Sequence, residues 1–252
     1  MIGGALSHYE LLETLAEGTD SVWQARDTRS GRLVRLRTFP RGAATDLAAA
    51  GVARGLVHPN LSALEEVGEA GGLVFAAWSW SAGETLAERL ARGPFHLEDV
   101  ADLAAQVASA LAAAHLRGLL HRRLEPASVL LAEGGWAKVL DLGLADLAGA
   151  EVNGSPWRAP EQRRGEPGDA RTDVWAVGAL LHALLTGLPP GAEGFALPAA
   201  AEAPQSLADE LRRLLAKTLQ PVPADRPAEM ADFLLELQAL AGTGALRRRS
   251  PA

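Results

Sequence analysis

An α+β fold of two unequal lobes is predicted, a small N-terminal lobe of antiparallel sheet with one helix and a larger, mainly helical C-terminal lobe. Three observations predict it. Short β-type runs separated by turn signals fill residues 9–39, one Ala-rich segment interrupts the strands, and from Gly83 onward the apolar residues recur at helical spacing. At 252 residues and 48% hydrophobic, the chain is long enough to bury a sizeable core.

The runs Ser21-Val22-Trp23-Gln24-Ala25 and Leu33-Val34-Arg35-Leu36-Arg37 flank the turn signal Ser30-Gly31 and read as paired strands. A helix over about 44–56 breaks at His58-Pro59-Asn60, because the residue before a proline is pushed out of the helical region. Two more strands are expected near 61–67 and 73–80. Helical periods then cover 97–118, 171–186, 207–219 and 228–240, and the Ala/Pro-rich stretch 196–204 reads as a surface loop. The expected organisation is a small lobe over 1–82, a large lobe over 83–243 and a basic tail over 244–252, which holds Arg247-Arg248-Arg249.

A net charge of −7 argues against a nucleic-acid partner despite that local basic run. The chain has no cysteine, which excludes disulfides, thiolate metal sites and cysteine nucleophiles. Met1-Ile2-Gly3-Gly4-Ala5-Leu6 has neither region of a signal peptide, and no uncharged stretch approaches the ~20 apolar residues of a membrane span. A cytoplasmic protein without a membrane span is the expectation. His8, His96, His115 and His182 lack metal-ligand spacing and are read as packing or surface residues. Trp136 and Trp175 are expected to fill the helical lobe, and Trp23 a sheet face.

Short motifs then occur in a fixed order. They are His58-Pro59-Asn60, Gly83-Glu84-Thr85-Leu86, His121-Arg122-Arg123-Leu124-Glu125-Pro126-Ala127-Ser128, Asp141-Leu142-Gly143, Gly154-Ser155-Pro156-Trp157-Arg158-Ala159-Pro160-Glu161, Asp173-Val174-Trp175-Ala176-Val177-Gly178 and Asp225-Arg226-Pro227. Each match alone is weak, whereas their ordered spacing is a strong signal. By it the chain resembles a bacterial-type Ser/Thr protein kinase domain from about Tyr9 to Leu240. The resemblance implies that Asp173 accepts hydrogen bonds from the backbone of residues 121–123, that Glu161 pairs with Arg226, and that His121 is a core residue.

The same resemblance places altered residues at the reacting positions. A kinase uses an Asp to take the acceptor's proton, an Asn and a second Asp to hold two Mg²⁺, and a strand Lys paired to a helix Glu to hold phosphates. Here those positions carry Arg123, Ser128, Asp141, Arg37 and Ala49, and Glu125 replaces a Lys near the transferred phosphate. The segment 16–22 keeps Gly18 as its middle glycine, with Glu17 and Asp20 adding the wrong charge for a phosphate cradle. The resemblance implies that Val22 and Leu130 would form apolar walls of the cleft, that Arg35 stands where a small residue would roof the adenine, and that Trp78 falls at the gatekeeper position. Arg35 and Arg37 share one face of their strand.

These departures lead to the expectation of a degenerate kinase, a pseudokinase. It would not be an enzyme, would bind ATP weakly or not at all, would need no cofactor, and would act as a scaffold or allosteric regulator through a protein partner, an active kinase or other signalling protein. Asp141 is the sole candidate metal ligand, and a lone carboxylate rarely holds Mg²⁺ without phosphate. Arg37, alone or with Arg35, is expected to pair with Asp141 and tie the lobes together. The alternatives are a divergent ATP-dependent Ser/Thr kinase or nucleotidyl transferase using Asp141, with Glu125 or Asp146 assisting and ATP and Mg²⁺ required, and a nucleotide sensor without turnover.

Overall fold

The computed structural model describes residues 4–17, 20–40, 47–144, 155–191 and 205–243. Six strands, β1 (Ala5–Leu6), β2 (Tyr9–Ala16), β3 (Ser21–Asp27), β4 (Leu33–Pro40), β5 (Leu64–Ala70) and β6 (Leu73–Ser79), form an antiparallel sheet in the order β1-β2-β3-β4-β6-β5. The β3–β4 turn is set by Asp27, whose carboxylate accepts from the Arg29 backbone N–H at 2.8 Å and the Ser30 hydroxyl at 2.6 Å. Helix α1 (Leu47–Arg54) packs on β5. Alternation along β4 sends Val34 and Leu36 into a cluster with Tyr9, Trp23, Ala25 and Phe75, and leaves Arg35 and Arg37 on the opposite face.

On that opposite face the sheet joins the larger core. Trp78, Leu64 and Ala76 belong to the same buried cluster as Leu86, Val100, Leu111 and Val177, so one hydrophobic core runs through both lobes. The larger lobe contains β7 (Gly83–Thr85), α2 (Leu86–Leu90), α3 (Leu97–His115), β8 (Val129–Ala132), β9 (Trp136–Val139), α4 (Pro160–Arg163), α5 (Ala170–Thr186), α6 (Gln205–Thr218) and α7 (Met230–Thr243). Strands β7, β8 and β9 make a second, three-stranded sheet. Helix α5 is its axis. Asp169 caps its N-terminus by accepting from the Arg171 N–H at 2.8 Å, residues 172–184 are all buried, and Gly187 ends it in the left-handed conformation at φ 77°.

The two-lobed expectation holds, with local corrections. The strand expected near 61–67 starts at Leu64, because residues 58–61 close a turn in which the Leu61 N–H donates to His58 O at 3.1 Å. Elements α2, α4 and β7 to β9 went unforeseen, since pieces of three to five residues carry no measurable period. Trp175 and Trp23 are buried as expected, but Trp136 is 48% exposed. It opens β9, where Ala137 and Val139 take the inward positions and period two turns Trp136 outward. The loop at 196–204, the tail 244–252 and residues 44–46 of the expected first helix lie outside the described residues. Among the described residues, no helix is long and apolar enough to cross a membrane.

A fully buried ion pair fastens the helical lobe. Arg226 donates through Nη1 to Glu161 Oε1 and through Nη2 to Oε2, both at 2.7 Å, while the Thr172 hydroxyl donates to Oε1 at 2.9 Å. Burial pushes the Glu161 carboxyl up, yet the hydrogen bonds from Arg226 outweigh it and hold the pKa below its ordinary value. This stabilisation is complete above the ordinary glutamate pKa and is lost as pH falls through the depressed one. Arg226→Ala leaves a buried carboxylate unpaired and is expected to lower unfolding free energy by about 3–5 kcal/mol, read from urea melts at neutral pH. A loss below about 1 kcal/mol would mean that the pair is not a structural fastener.

Candidate active site

The inter-lobe cleft is lined from above by β4. Register places Arg37 opposite Val22 and Ala76, and Arg35 opposite Gln24 and Trp78. Arg37 reaches down to the turn after β9, where its Nη1 donates to Asp141 Oδ2, and its Nη2 donates to Asp20 Oδ2 at 2.8 Å. All three side chains are largely withdrawn from water. Burial works against the charge of Arg37, but Asp141 and Asp20 outweigh it and raise its pKa. The expected Arg37–Asp141 pairing is therefore present. Arg35 does not share in it by hydrogen bond: its Nε is buried without a partner.

Asp141 has an unusual backbone. Its φ of 59° lies in the left-handed region, which costs a non-glycine residue of order 1–3 kcal/mol and is tolerated where the surroundings over-determine it. Those surroundings are identifiable. The Leu140 N–H donates to Ser128 O at 2.8 Å, and His121 Nε2 bonds Leu140 O at 2.9 Å, so the turn is tied to the loop at 121–128 on the residue just before Asp141. His121 is 1% exposed, as a core residue should be.

That loop is held in turn by Asp173, which is fully buried. Its Oδ2 accepts from the His121 N–H at 2.8 Å and lies 2.9 Å from His115 Nε2, while Oδ1 accepts from the Arg122 N–H at 2.8 Å. Burial alone would raise the Asp173 pKa, but the His115 contact, the two histidines and the backbone donor hold it low. Arg122 sits at φ 58°, and its carbonyl accepts from Arg158 Nη1 at 2.9 Å and Gln162 Nε2 at 2.7 Å. The loop shape is thus set by scaffold groups, whatever occupies its reacting positions.

The remaining candidate residues fall as follows. Arg123 is half-buried, with its N–H on His121 O at 2.7 Å. The Ser128 hydroxyl donates to Glu125 O at 2.8 Å and accepts from the Glu125 N–H at 2.9 Å, so it is engaged inside its own turn. Val22 and Leu130 are buried at 5% and 7% exposure, and Trp78 at 1% is packed into the core behind the cleft. Ala49 lies in α1, with its side chain outside the described residues, as are Gly18, Asp146 and Gly154. Asp20 is the functional neighbour that sequence reasoning misread. Its sequence position suggests charge that repels phosphate, whereas it is the second carboxylate on Arg37. The pairing of Val22 with Arg37 is the signal that could have found it, since it brings the start of β3 beside that guanidinium.

A family model described as the protein kinase domain matches residues 9–237. The chain is 35% identical over 216 residues to the serine/threonine-protein kinase pkn3 of Myxococcus xanthus, covering 73% of this chain and 40% of that protein. It is 32% identical over 260 residues to the serine/threonine-protein kinase PkaA of Streptomyces coelicolor, covering 88% of this chain and 48% of that protein. This chain thus spans less than half the length of either relative. Among solved structures, the Mycobacterium tuberculosis PknI kinase domain superposes with TM-scores of 0.75 and 0.79 at 24% identity, covering 96% of this chain and 99% of that one. That likeness concerns the fold alone.

These matches correct one expectation outright. The chain was expected not to be an enzyme; the kinase-domain match and Ser/Thr kinase relatives at 32–35% identity point to a kinase enzyme instead. The altered residues alone did not decide the question, because residue types at reacting positions do not measure a rate.

The geometry of Arg37 yields a prediction independent of activity. A planar guanidinium serves Asp20 and Asp141 at once, and a lysine ammonium is a single compact charge that matches this forked arrangement poorly. Arg37→Lys should therefore lose about 1 kcal/mol of unfolding free energy in chemical denaturation, though the charge is unchanged. Equal stability of the two proteins would show that the double contact contributes nothing.

Proposed function

Since the chain belongs to the protein kinase family, we propose that it is a divergent ATP-dependent Ser/Thr kinase that uses Asp141 and Arg37, with the cleft tied shut between these two residues when no nucleotide is bound. The observation that carries this reading is Asp141. One of its oxygens is taken by Arg37, while Oδ1 is buried without a hydrogen-bond partner, and the residue is held in a strained backbone at the mouth of the cleft. An unpartnered buried carboxylate oxygen is the donor a hard cation needs.

The donor set fits one Mg²⁺ carried in with the nucleotide, through Asp141 Oδ1, better than two, because the Ser128 hydroxyl is occupied by its own turn. Such an ion supplies neutralisation of charge on the transferred phosphoryl group. Arg37, released from Asp141, is the cation available to the phosphates. Val22 and Leu130 are the apolar walls of the cleft and Trp78 closes its back. Phosphoryl transfer has a loose transition state and depends mostly on positioning and electrostatics, so the loss of a dedicated base slows the reaction without removing its main contributions. Glu125 is the only carboxylate in residues 121–128 and the residue best placed by sequence to take the acceptor's proton. Residues 1–82 and 83–243 are the two lobes in this reading, and the acceptor is a protein hydroxyl.

A missing base costs ~10²–10⁴-fold against the roughly 1–100 per second of ordinary kinases, so turnover between about 10⁻⁴ and 1 per second is expected. The test is transfer of radiolabelled γ-phosphate, with Mg²⁺, to the protein itself and to generic acceptor proteins. Slow labelling of serine or threonine that disappears in Asp141→Ala supports the reading. Absence of label on every acceptor over hours, or label that survives Asp141→Ala, removes it.

A further inference from the structure

Strand β4 carries two guanidiniums on one face, and their circumstances differ. Arg37 is matched by two carboxylates. Arg35, two residues earlier and opposite Trp78 in the register, makes no ion pair among the described residues, and its Nε is buried without a partner. Arg37 Nε is likewise buried and unpartnered. Burial depresses the Arg35 pKa, Asp141 acts to raise it, and the neighbouring charge of Arg37 depresses it further, so the two cations and Asp141 share one electrostatic environment. A guanidinium withdrawn from water without a direct counterion is an unfavourable arrangement, and an incoming oxyanion with several oxygens relieves it.

We propose that Arg35 and Arg37 form a two-guanidinium anion site beneath β4, and that the cleft selects its ligand by a magnesium-bound polyphosphate and not by a nucleobase. The proposal rests on the reading of this cleft as a nucleotide site and states which part of the nucleotide is recognised. Arg35 projects from the cleft face of β4, where a small residue would leave room above a base, and it lies opposite Trp78, which is packed into the core at 1% exposure. Base recognition loses its pocket while phosphate recognition gains a second fork.

The acidic groups facing this region fit the same ligand. Asp20 and Asp141 are held by Arg37, and Glu88 on α2, which is also felt electrostatically by Arg35, has Oε2 occupied by the Thr85 N–H at 2.6 Å and hydroxyl at 2.9 Å. A bare polyanion would meet the repulsion of these carboxylates. The open Oδ1 of Asp141 favours one that arrives with its magnesium ion.

Titration calorimetry of the whole chain with tripolyphosphate, ATP, GTP and adenosine, each with Mg²⁺, tests the proposal. The three phosphate compounds should bind with Kd values within about tenfold of one another, and adenosine should not bind. Arg35→Ala should weaken tripolyphosphate about tenfold or more, the loss expected for a charge-assisted contact, while Arg35→Lys retains part of the affinity. A preference for ATP over tripolyphosphate well beyond tenfold, binding of adenosine, unchanged tripolyphosphate affinity in Arg35→Ala, or failure of every phosphate compound to bind would each overturn it. The kinase reading fails by a different signature, namely tripolyphosphate bound as described but no phosphate transferred from ATP to any hydroxyl.

Discussion

Arg37 is the group on which the state of the cleft depends. It is a largely buried cation fed from the sheet lobe, and its counterions come from both sides: Asp20 precedes β3, and Asp141 follows β9 in the helical lobe. A charge in this position needs partners, because the cost of withdrawing it from water is offset only by close carboxylates. The same requirement links the lobes. Any ligand that offers Arg37 a better anion competes directly with Asp141, so ligand binding and release of the inter-lobe contact are one equilibrium.

The loop and turn that present Asp141 are built by groups with no part in that exchange. Asp173 organises residues 121 and 122 from the N-terminal end of α5, and the Glu161–Arg226 pair holds α4 against the segment after α6. Both carboxylates are buried, both have depressed pKa values, and both are satisfied by several donors. They set the positions of the reacting loop to within hydrogen-bond tolerance whether residue 123 is acidic or basic. This separation of scaffold from chemistry allows Arg123 and Ser128 to be accommodated without disturbing the fold.

Much of this was legible in the sequence because it rests on strong local signals. The strand alternation of Val34 and Leu36 against Arg35 and Arg37, the helix-ending His58-Pro59, and the long apolar periods of α3 and α5 each point to a single structure. The Arg37–Asp141 contact was also legible, since two charges left without their usual partners had each other. Less legible were features decided by register. Asp20 looked like a repulsive residue until β3–β4 pairing brought it to Arg37, and Trp136 looked like core until its place at the start of a four-residue strand turned it outward. Activity is not legible from the residue types at the reacting positions, because positioning and electrostatics contribute to phosphoryl transfer even without a dedicated base.

The central claim is that Arg37 and Asp141 are energetically coupled across the cleft. A double-mutant cycle of Arg37→Met and Asp141→Asn, followed by urea unfolding without nucleotide, measures that coupling directly. The account predicts an interaction energy of about 1–3 kcal/mol, with the double variant more stable than the sum of the single losses implies. Strictly additive losses, within about 0.3 kcal/mol, would contradict it.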